Sequence, residues 1–158
     1  MEKLIGFADS IIVSNKFLQN RFTGCLIPHC RDTTILDPDL FNDQEIKQSL
    51  GLEGNRVIMF LGTPRPHKGI DDLIQAVESL DYPDVRLVFI GAEPSFQSRQ
   101  GNSFLNKKKV VVLPKTPFDE LPNHLSAADI LVVPQRDTTD TQGQIPAKLF
   151  DAMAMAIP

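Results

Sequence analysis

From residue 56 onward, short apolar runs alternate with segments of helical periodicity, and this alternation limits the fold more than any other feature. The runs are RVIMFLG (56–62), VRLVFIG (85–91), VVVL (110–113) and ILVVP (130–134). Each is apolar at successive positions, as expected for strands covered on both faces in a parallel sheet. Between the first two lies IDDLIQAVESL (70–80), where Ile70, Leu73, Ile74, Val77 and Leu80 recur at steps of three and four, the spacing of one helix face. Asp71 and Asp72 fall in its first turn, where acids suit the helix dipole. PFDELPNHLSAAD (117–129) predicts a short helix with Phe118, Leu121, Leu125 and Ala128 on one side. IPAKLFDAMAM (145–155) predicts another, with Pro146 in its first turn. Strands and helices in this order predict a doubly wound α/β sheet with right-handed crossovers.

The first 55 residues do not fit that unit. ADSIIVSNKFLQNRF (8–22) predicts one strand and one helix. IPHCRDTTILDPDLFNDQ (27–44) reads as a proline-rich linker, and FNDQEIKQSLGL (41–52) as a short helix leading to the first strand. We therefore divide the chain into 1–44, a remnant of a preceding domain plus linker, and 45–158, an α/β domain. Four strands make a small parallel sheet, and AMAMAIP (152–158) reads as the start of a further strand, so a piece of a longer protein is expected. The edge of ILVVP should then lie open. SIIVS (10–14) is a candidate to cover it, in its own chain or, by self-association, in a neighbour's.

Net charge is −4, which gives no bulk attraction to nucleic acid. The run Lys107 to Lys109 reads as a solvated face ahead of a strand. No apolar stretch is long enough to span a bilayer, and no basic-then-apolar leader opens the chain. Cys25, His29 and Cys30 lack the second ligand pair that a closed zinc site needs. They read as ordinary residues of a reducing compartment, with no metal implied.

The stretch FLGTPRPHKGIDDLI (60–74) places Arg65 and Lys68 between a buried strand and a helix start. In doubly wound sheets ligands sit at the carboxyl ends of the strands. A helix N-terminus there already favours an anion. Arg65 can grip phosphate through two parallel hydrogen bonds and Lys68 adds a point charge. Gly69 permits close backbone approach. The stretch is neither G-x-x-x-x-G-K-[ST] nor G-x-G-x-x-G, so neither of those phosphate motifs applies. His67 is either a further phosphate contact or a solvated loop residue, and His124 reads as a surface residue.

A second constellation is DTTDTQGQIPAKLFDAMA (137–154). It carries Asp137, Asp140, Gln142 and Gln144 in a loop, then Lys148 and Asp151 three apart on one helix face. That pair is either a surface ion pair or a phosphate contact beside a ribose acceptor. Both loops end at strand tips on the same edge of the sheet and can face one ligand.

The order of these motifs resembles the C-terminal, donor-binding domain of group 1 glycosyltransferases with the GT-B fold. GTPRPHKG stands where that family has G-R-x-x-x-x-K-G. VRLVFIGAEP, VVVLPKTPFDELPNHLSAADILVVP and LFDAMAMAIP follow its later motifs in order, and ADSIIVS and CLIPHCRDTTILDP are similar to the last strand of the other domain and the interdomain link. The resemblance implies a Rossmann-like half of a two-domain enzyme. It implies transfer of a sugar from a nucleoside diphosphate sugar to a glycan or lipid-linked acceptor, with retained configuration and no required metal or cofactor. It also implies a cytoplasmic protein, with peripheral attachment at the inner membrane face as an option for the full-length form.

By position, Lys68 matches the family lysine, and Arg65 stands two places after the family arginine, which aligns with Thr63. Arg65 and Lys68 become the catalytic clamp, with Gly62, Thr63 and Gly69 as the backbone around it. Lys115, in PKTPF, lies where the family reads the base through backbone. Asp151 matches the second glutamate of an E-x7-E pair. The first falls at Gly143, which would shift its role to Asp140 or Gln144. Pro146, Lys148 and Asp151 form a P-x-K-x-x-D variant in which Lys148 supports phosphate. The family glycine ahead of the last proline is replaced in Ala156–Ile157. These 158 residues alone are expected to bind donor weakly and not to catalyse transfer. The other readings are a non-catalytic nucleotide- or phosphate-binding module, and an epimerase or phosphorylase of the same architecture.

Overall fold

The computed structural model describes residues 2–92, 107–139 and 141–158. A 3-10 segment (Glu2–Phe7) precedes β1 (Ile12–Val13), α1 (Lys16–Phe22) and β2 (Cys25–Leu26), and an irregular stretch then leads to α2 (Asp43–Ser49). There follow β3 (Arg56–Leu61), α3 (Ile70–Glu78), β4 (Val85–Ile90), β5 (Val110–Leu113), α4 (Leu121–Ser126), β6 (Ile130–Leu131) and α5 (Ala147–Ala154). The last four strands form one parallel sheet in the order β5-β4-β3-β6. The chain steps outward from β3 to β5, then returns to the other side of β3, so strand order reverses between β3 and β6.

Alternation along the strands builds a core on each face. Val57 and Met59 of β3 and Val88 and Ile90 of β4 pack with Leu125 and Ala152. Phe60, Leu87 and Phe89 point the other way, onto Ile70, Leu73, Ile74 and Val77 of α3. Both faces are covered, so the sheet is doubly wound, as the apolar runs predict. Asp129 ties α2 to the sheet. Its carboxylate takes two 2.8 Å hydrogen bonds from the buried Lys47 ammonium and one of 2.6 Å from the Val57 amide.

Three local expectations need correction. ILVVP is extended as a ladder strand only at Ile130–Leu131, although the Val132 amide still reaches the Met59 carbonyl at 2.9 Å. Beyond it, the Pro134 carbonyl turns toward Gly69. Phe118 is not on the buried side of α4: it lies before the helix and is 75% exposed, at the rim of a cleft. Lys109 is not merely solvated, because its ammonium reaches the Val77 and Leu80 carbonyls beyond the last turn of α3, where a cation is favourable.

SIIVS does not cover the β6 edge within its own chain. β1 pairs in parallel with β2 as a separate two-stranded sheet. The Leu131 amide instead donates to the Pro158 carbonyl at 2.9 Å. The turn that carries the chain there is a Schellman cap on α5. The Ile157 amide bonds the Ala152 carbonyl at 2.9 Å and the Ala156 amide bonds that of Met153 at 3.2 Å. The cap needs a left-handed residue, and Ala156 supplies it at φ 52°.

Candidate functional site

At the carboxyl edge of the sheet, beside the reversal of strand order, lies an open cavity of about 560 Å³. Its wall includes Leu61, Gly62, Lys68, Gln135, Lys148 and Asp151. Segments far apart in sequence meet here, among them the loop after β3, the loop after β6, the first turns of α5 and the stretch before α2 at His29.

Lys68 closes a 3-10 turn (Pro66–Lys68) that leads into α3. Its ammonium folds back to donate to the Thr63 carbonyl at 2.8 Å, and its amide bonds the Arg65 carbonyl at 2.9 Å. Burial, and then the nearby Arg65 charge, lower its pKa. Gly69 joins the turn to α3 at φ 58°, and a Cβ there would stand 2.2 Å from the Pro134 carbonyl oxygen. Only glycine fits that crossing.

Lys148 enters from α5. Its ammonium donates to the Leu61 carbonyl at 2.7 Å and lies 3.8 Å from the centroid of the Phe60 ring. Burial, and then the charge of Lys68, push its pKa down to about 8. Arg65, Lys68 and Lys148 therefore form a chain of like charges, each raising the cost of the next. Among the described residues, neither lysine forms a salt bridge with a carboxylate. Their partners are neutral carbonyl oxygens. Crowded, half-buried cations of this kind are what an anion-binding cleft requires.

Asp151 is buried, one turn after Ala147, and does not pair with Lys148. It is held by Arg31 of the linker, whose Nε donates to Asp151 Oδ1. The same guanidinium donates to the Cys30 carbonyl at 2.8 Å and to the Ala147 carbonyl at 3.0 Å. His29 lines the cavity, with its ring 5.3 Å from that of Phe150. Cys25 and Cys30 are exposed free thiols, and no metal-holding cluster occurs among the described residues.

The remaining candidates separate. Gln144 lines the same cavity. Asp140 lies outside the described residues. Thr63 and Lys115 line a neighbouring cleft of about 370 Å³, which shares Leu61 and Gly62 with the first. Arg65 is exposed and lines neither of these two cavities, although it is close enough to act on Lys68. His67 is half-buried, and its carbonyl accepts from the Arg136 amide at 3.0 Å. Sequence reasoning missed Arg31, His29 and Gln135. They stand in a linker and a loop without periodicity, so no local pattern marks them.

Gly143 has a structural reason to be glycine. Its φ is 77°, and a Cβ would meet the Phe17 ring at 2.5 Å. Its carbonyl accepts from Asn15 Nδ2 at 2.7 Å. The loop before it is fixed by the buried Thr141, whose hydroxyl lies 2.7 Å from the Arg136 carbonyl and accepts from the Thr138 amide at 2.9 Å. A glutamate has no place at Gly143 in this packing.

The fold and the cavity together define a doubly wound α/β domain with a cation-lined cleft at the switch point of its sheet. The family model for group 1 glycosyl transferases matches residues 42–158, and the chain belongs to that family. It is 27% identical over 141 residues to the GDP-mannose-dependent alpha-(1-6)-phosphatidylinositol monomannoside mannosyltransferase of Mycolicibacterium smegmatis, covering 82% of this chain and 37% of that protein. Among solved structures, Anabaena HepE in complex with UDP-glucose superposes with a TM-score of 0.78 at 18% identity, over 99% of this chain and 45% of that one. Sucrose-phosphate synthase of Thermosynechococcus elongatus gives a TM-score of 0.73 at 20% identity, over 96% of this chain and 40% of that one. These two share the GT-B half-fold. The chain thus spans 37% of the length of the mannosyltransferase and under half of either solved structure.

Proposed function

We propose that the cavity binds the nucleoside diphosphate of a sugar donor, and that the protein of which this chain forms part transfers the sugar to an acceptor with retained configuration. The observation that carries this reading is the meeting of Lys68 and Lys148 beside Gly62, hydrogen-bonded to carbonyls and, among the described residues, to no carboxylate. A diphosphate is the complement in charge to this arrangement. As the bond from sugar to phosphate breaks, negative charge grows on the departing diphosphate. Lys68 and Lys148, with Arg65 nearby, stabilise that charge from fixed positions. The fold bears the cost of holding these charges half-buried and close together, and a bound anion would offset it.

The relatives support the donor class. One is named as GDP-mannose-dependent, and HepE is described in complex with UDP-glucose. We assign the base to the cleft by Lys115 and Thr116, the diphosphate to Gly62, Lys68 and Lys148, and the ribose to Asp151. Ammonium groups neutralise the diphosphate in this scheme, so it requires no metal. The acceptor is a glycan or a lipid-linked glycan. The full-length protein acts on the cytoplasmic side, where nucleotide donors are held, and no helix among the described residues is long and apolar enough to cross a membrane.

Gly143 favours a second reading. Its packing excludes the first glutamate of the family pair, which would leave a module that binds nucleotide without catalysis. One experiment separates the readings. The full-length gene product is titrated with UDP, GDP and ADP by calorimetry, with Lys68→Ala as control, and then assayed for transfer from the matching labelled donor. Binding with transfer supports the first reading, and binding without transfer the second. Failure of all three diphosphates to bind would end both.

A further inference from the structure

Arg31 lies outside the family match at residues 42–158 and outside the sheet, yet it holds Asp151, the one buried carboxylate on the cavity wall among the described residues. Its guanidinium makes three hydrogen bonds in three directions. Nε bonds Asp151 Oδ1, Nη2 bonds the Ala147 carbonyl at 3.0 Å, and Nη1 bonds its neighbour's carbonyl at Cys30 at 2.8 Å. The first two contacts straddle the opening turn of α5. They hold the carboxylate and the backbone of the helix that carries it as one unit. The side chain of Arg31 is 20% exposed and that of Asp151 7%, so water competes weakly for this contact.

We propose that Arg31 is a positioning residue for donor recognition. It fixes the Asp151 carboxylate so that its remaining acceptor capacity serves the ribose hydroxyls of the donor. The inference rests on the nucleoside diphosphate reading above. An ionised carboxylate offers about four lone-pair sites, and the single bond from Nε leaves most of them open. A guanidinium bonded on three sides cannot follow a carboxylate that rotates. It therefore sets the direction of those open sites, and does not merely neutralise them. Because Arg31 belongs to the linker, the ribose contact becomes sensitive to where the linker lies. A shift of the linker against α5 would reorient Asp151 without moving the sheet.

A comparison of ribose with its dideoxy analogue tests this. The tightest binder among UDP, GDP and ADP is titrated into the full chain by calorimetry beside its 2′,3′-dideoxy counterpart. Wild type should prefer the ribose form by about tenfold or more, the yield of one good charge-assisted hydrogen bond. Arg31→Gln and Asp151→Asn should each lose most of that ratio, and the double variant should lose no more than either alone. Lys68→Ala should weaken both ligands together and leave the ratio intact. Arg31→Lys keeps the charge without the fork, so it should retain a fold measurable by circular dichroism and still lose the ratio.

A purely structural Arg31 would lower the melting temperature and leave the ratio unchanged in Arg31→Gln or Arg31→Lys. That result overturns the proposal while the diphosphate reading stands. A wild type that binds ribose and dideoxy forms equally overturns it as well. A wild type that binds no diphosphate removes the reading beneath it.

Discussion

The ammonium of Lys148 donates a 2.7 Å hydrogen bond to the carbonyl of Leu61, joining the first turn of α5 to the tip of β3 across 87 residues of sequence. The bond sets the charge at the mouth of the cavity and brings Lys148 near Lys68. It also holds that charge in a place that disfavours it, half out of water and beside a second ammonium.

The pH dependence follows. Lys148 titrates at about 8 in the fold against an ordinary 10.5, because burial and Lys68 oppose its charge. Below about 8 the fold bears the whole cost of that charge. Between 8 and 10.5 the unfolded chain holds more protons than the folded one, so this group makes stability rise with pH. An anion in the cavity favours the charged form, so affinity for a diphosphate should fall as pH rises through 8, by about tenfold between pH 7 and pH 9. Calorimetry with UDP, GDP or ADP at the two values measures this. Lys148→Met should bind weakly at both and show a flatter profile.

Loss of the Lys68 charge should act on phosphate and not on base. Lys68→Ala should weaken nucleoside diphosphate binding by about 10- to 100-fold, the range of a hydrogen bond to a charged group. Binding of the bare nucleoside should be unchanged. Arg65→Ala should lose less, because Arg65 is exposed and stands outside the cavity wall. Equal losses for nucleoside and diphosphate would point to a folding defect.

Restoring the family glutamate should fail. Gly143→Glu forces a side chain onto Phe17, 2.5 Å from the new Cβ, at a φ of 77°. We expect a loss of at least about 2 kcal/mol of stability by urea melt, from clash and left-handed strain together. No gain in transfer should accompany it. Pairing it with Phe17→Ala should recover part of the stability by relieving the contact.

The opposite exchange should help at the end of α5. Ala156 occupies the left-handed position of the Schellman cap at φ 52°. Ala156→Gly removes the Cβ penalty, offset in part by a looser unfolded chain, and should stabilise by about 0.5–1 kcal/mol. Donor binding should not change. A fall in the melting temperature would mean that the turn is held by something other than its cap.

The sequence by itself determined the layers and the edge of the sheet on which a ligand would lie. Stretches such as VIMFL (57–61) and LVFI (87–90) are apolar at every step, as strands covered on both faces are, and the step of three and four from Ile70 to Val77 is that of a helix face. The first strand ends in Gly62 and is followed by a basic loop before a helix, so Lys68 was legible. Tertiary structure alone decided who meets whom. Asp151 and Lys148 look like an ion pair when read along the helix, yet the fold gives one to Arg31 and the other to Leu61. It filled the space at Gly143 with Phe17, brought Pro134 against Gly69, and paired SIIVS with Cys25–Leu26 and not with β6. The physical reason is range. Periodicity and turn chemistry act over a few residues, whereas these contacts join segments from 13 (Ile12 to Cys25) to 126 (Phe17 to Gly143) positions apart, and no local pattern carries that information.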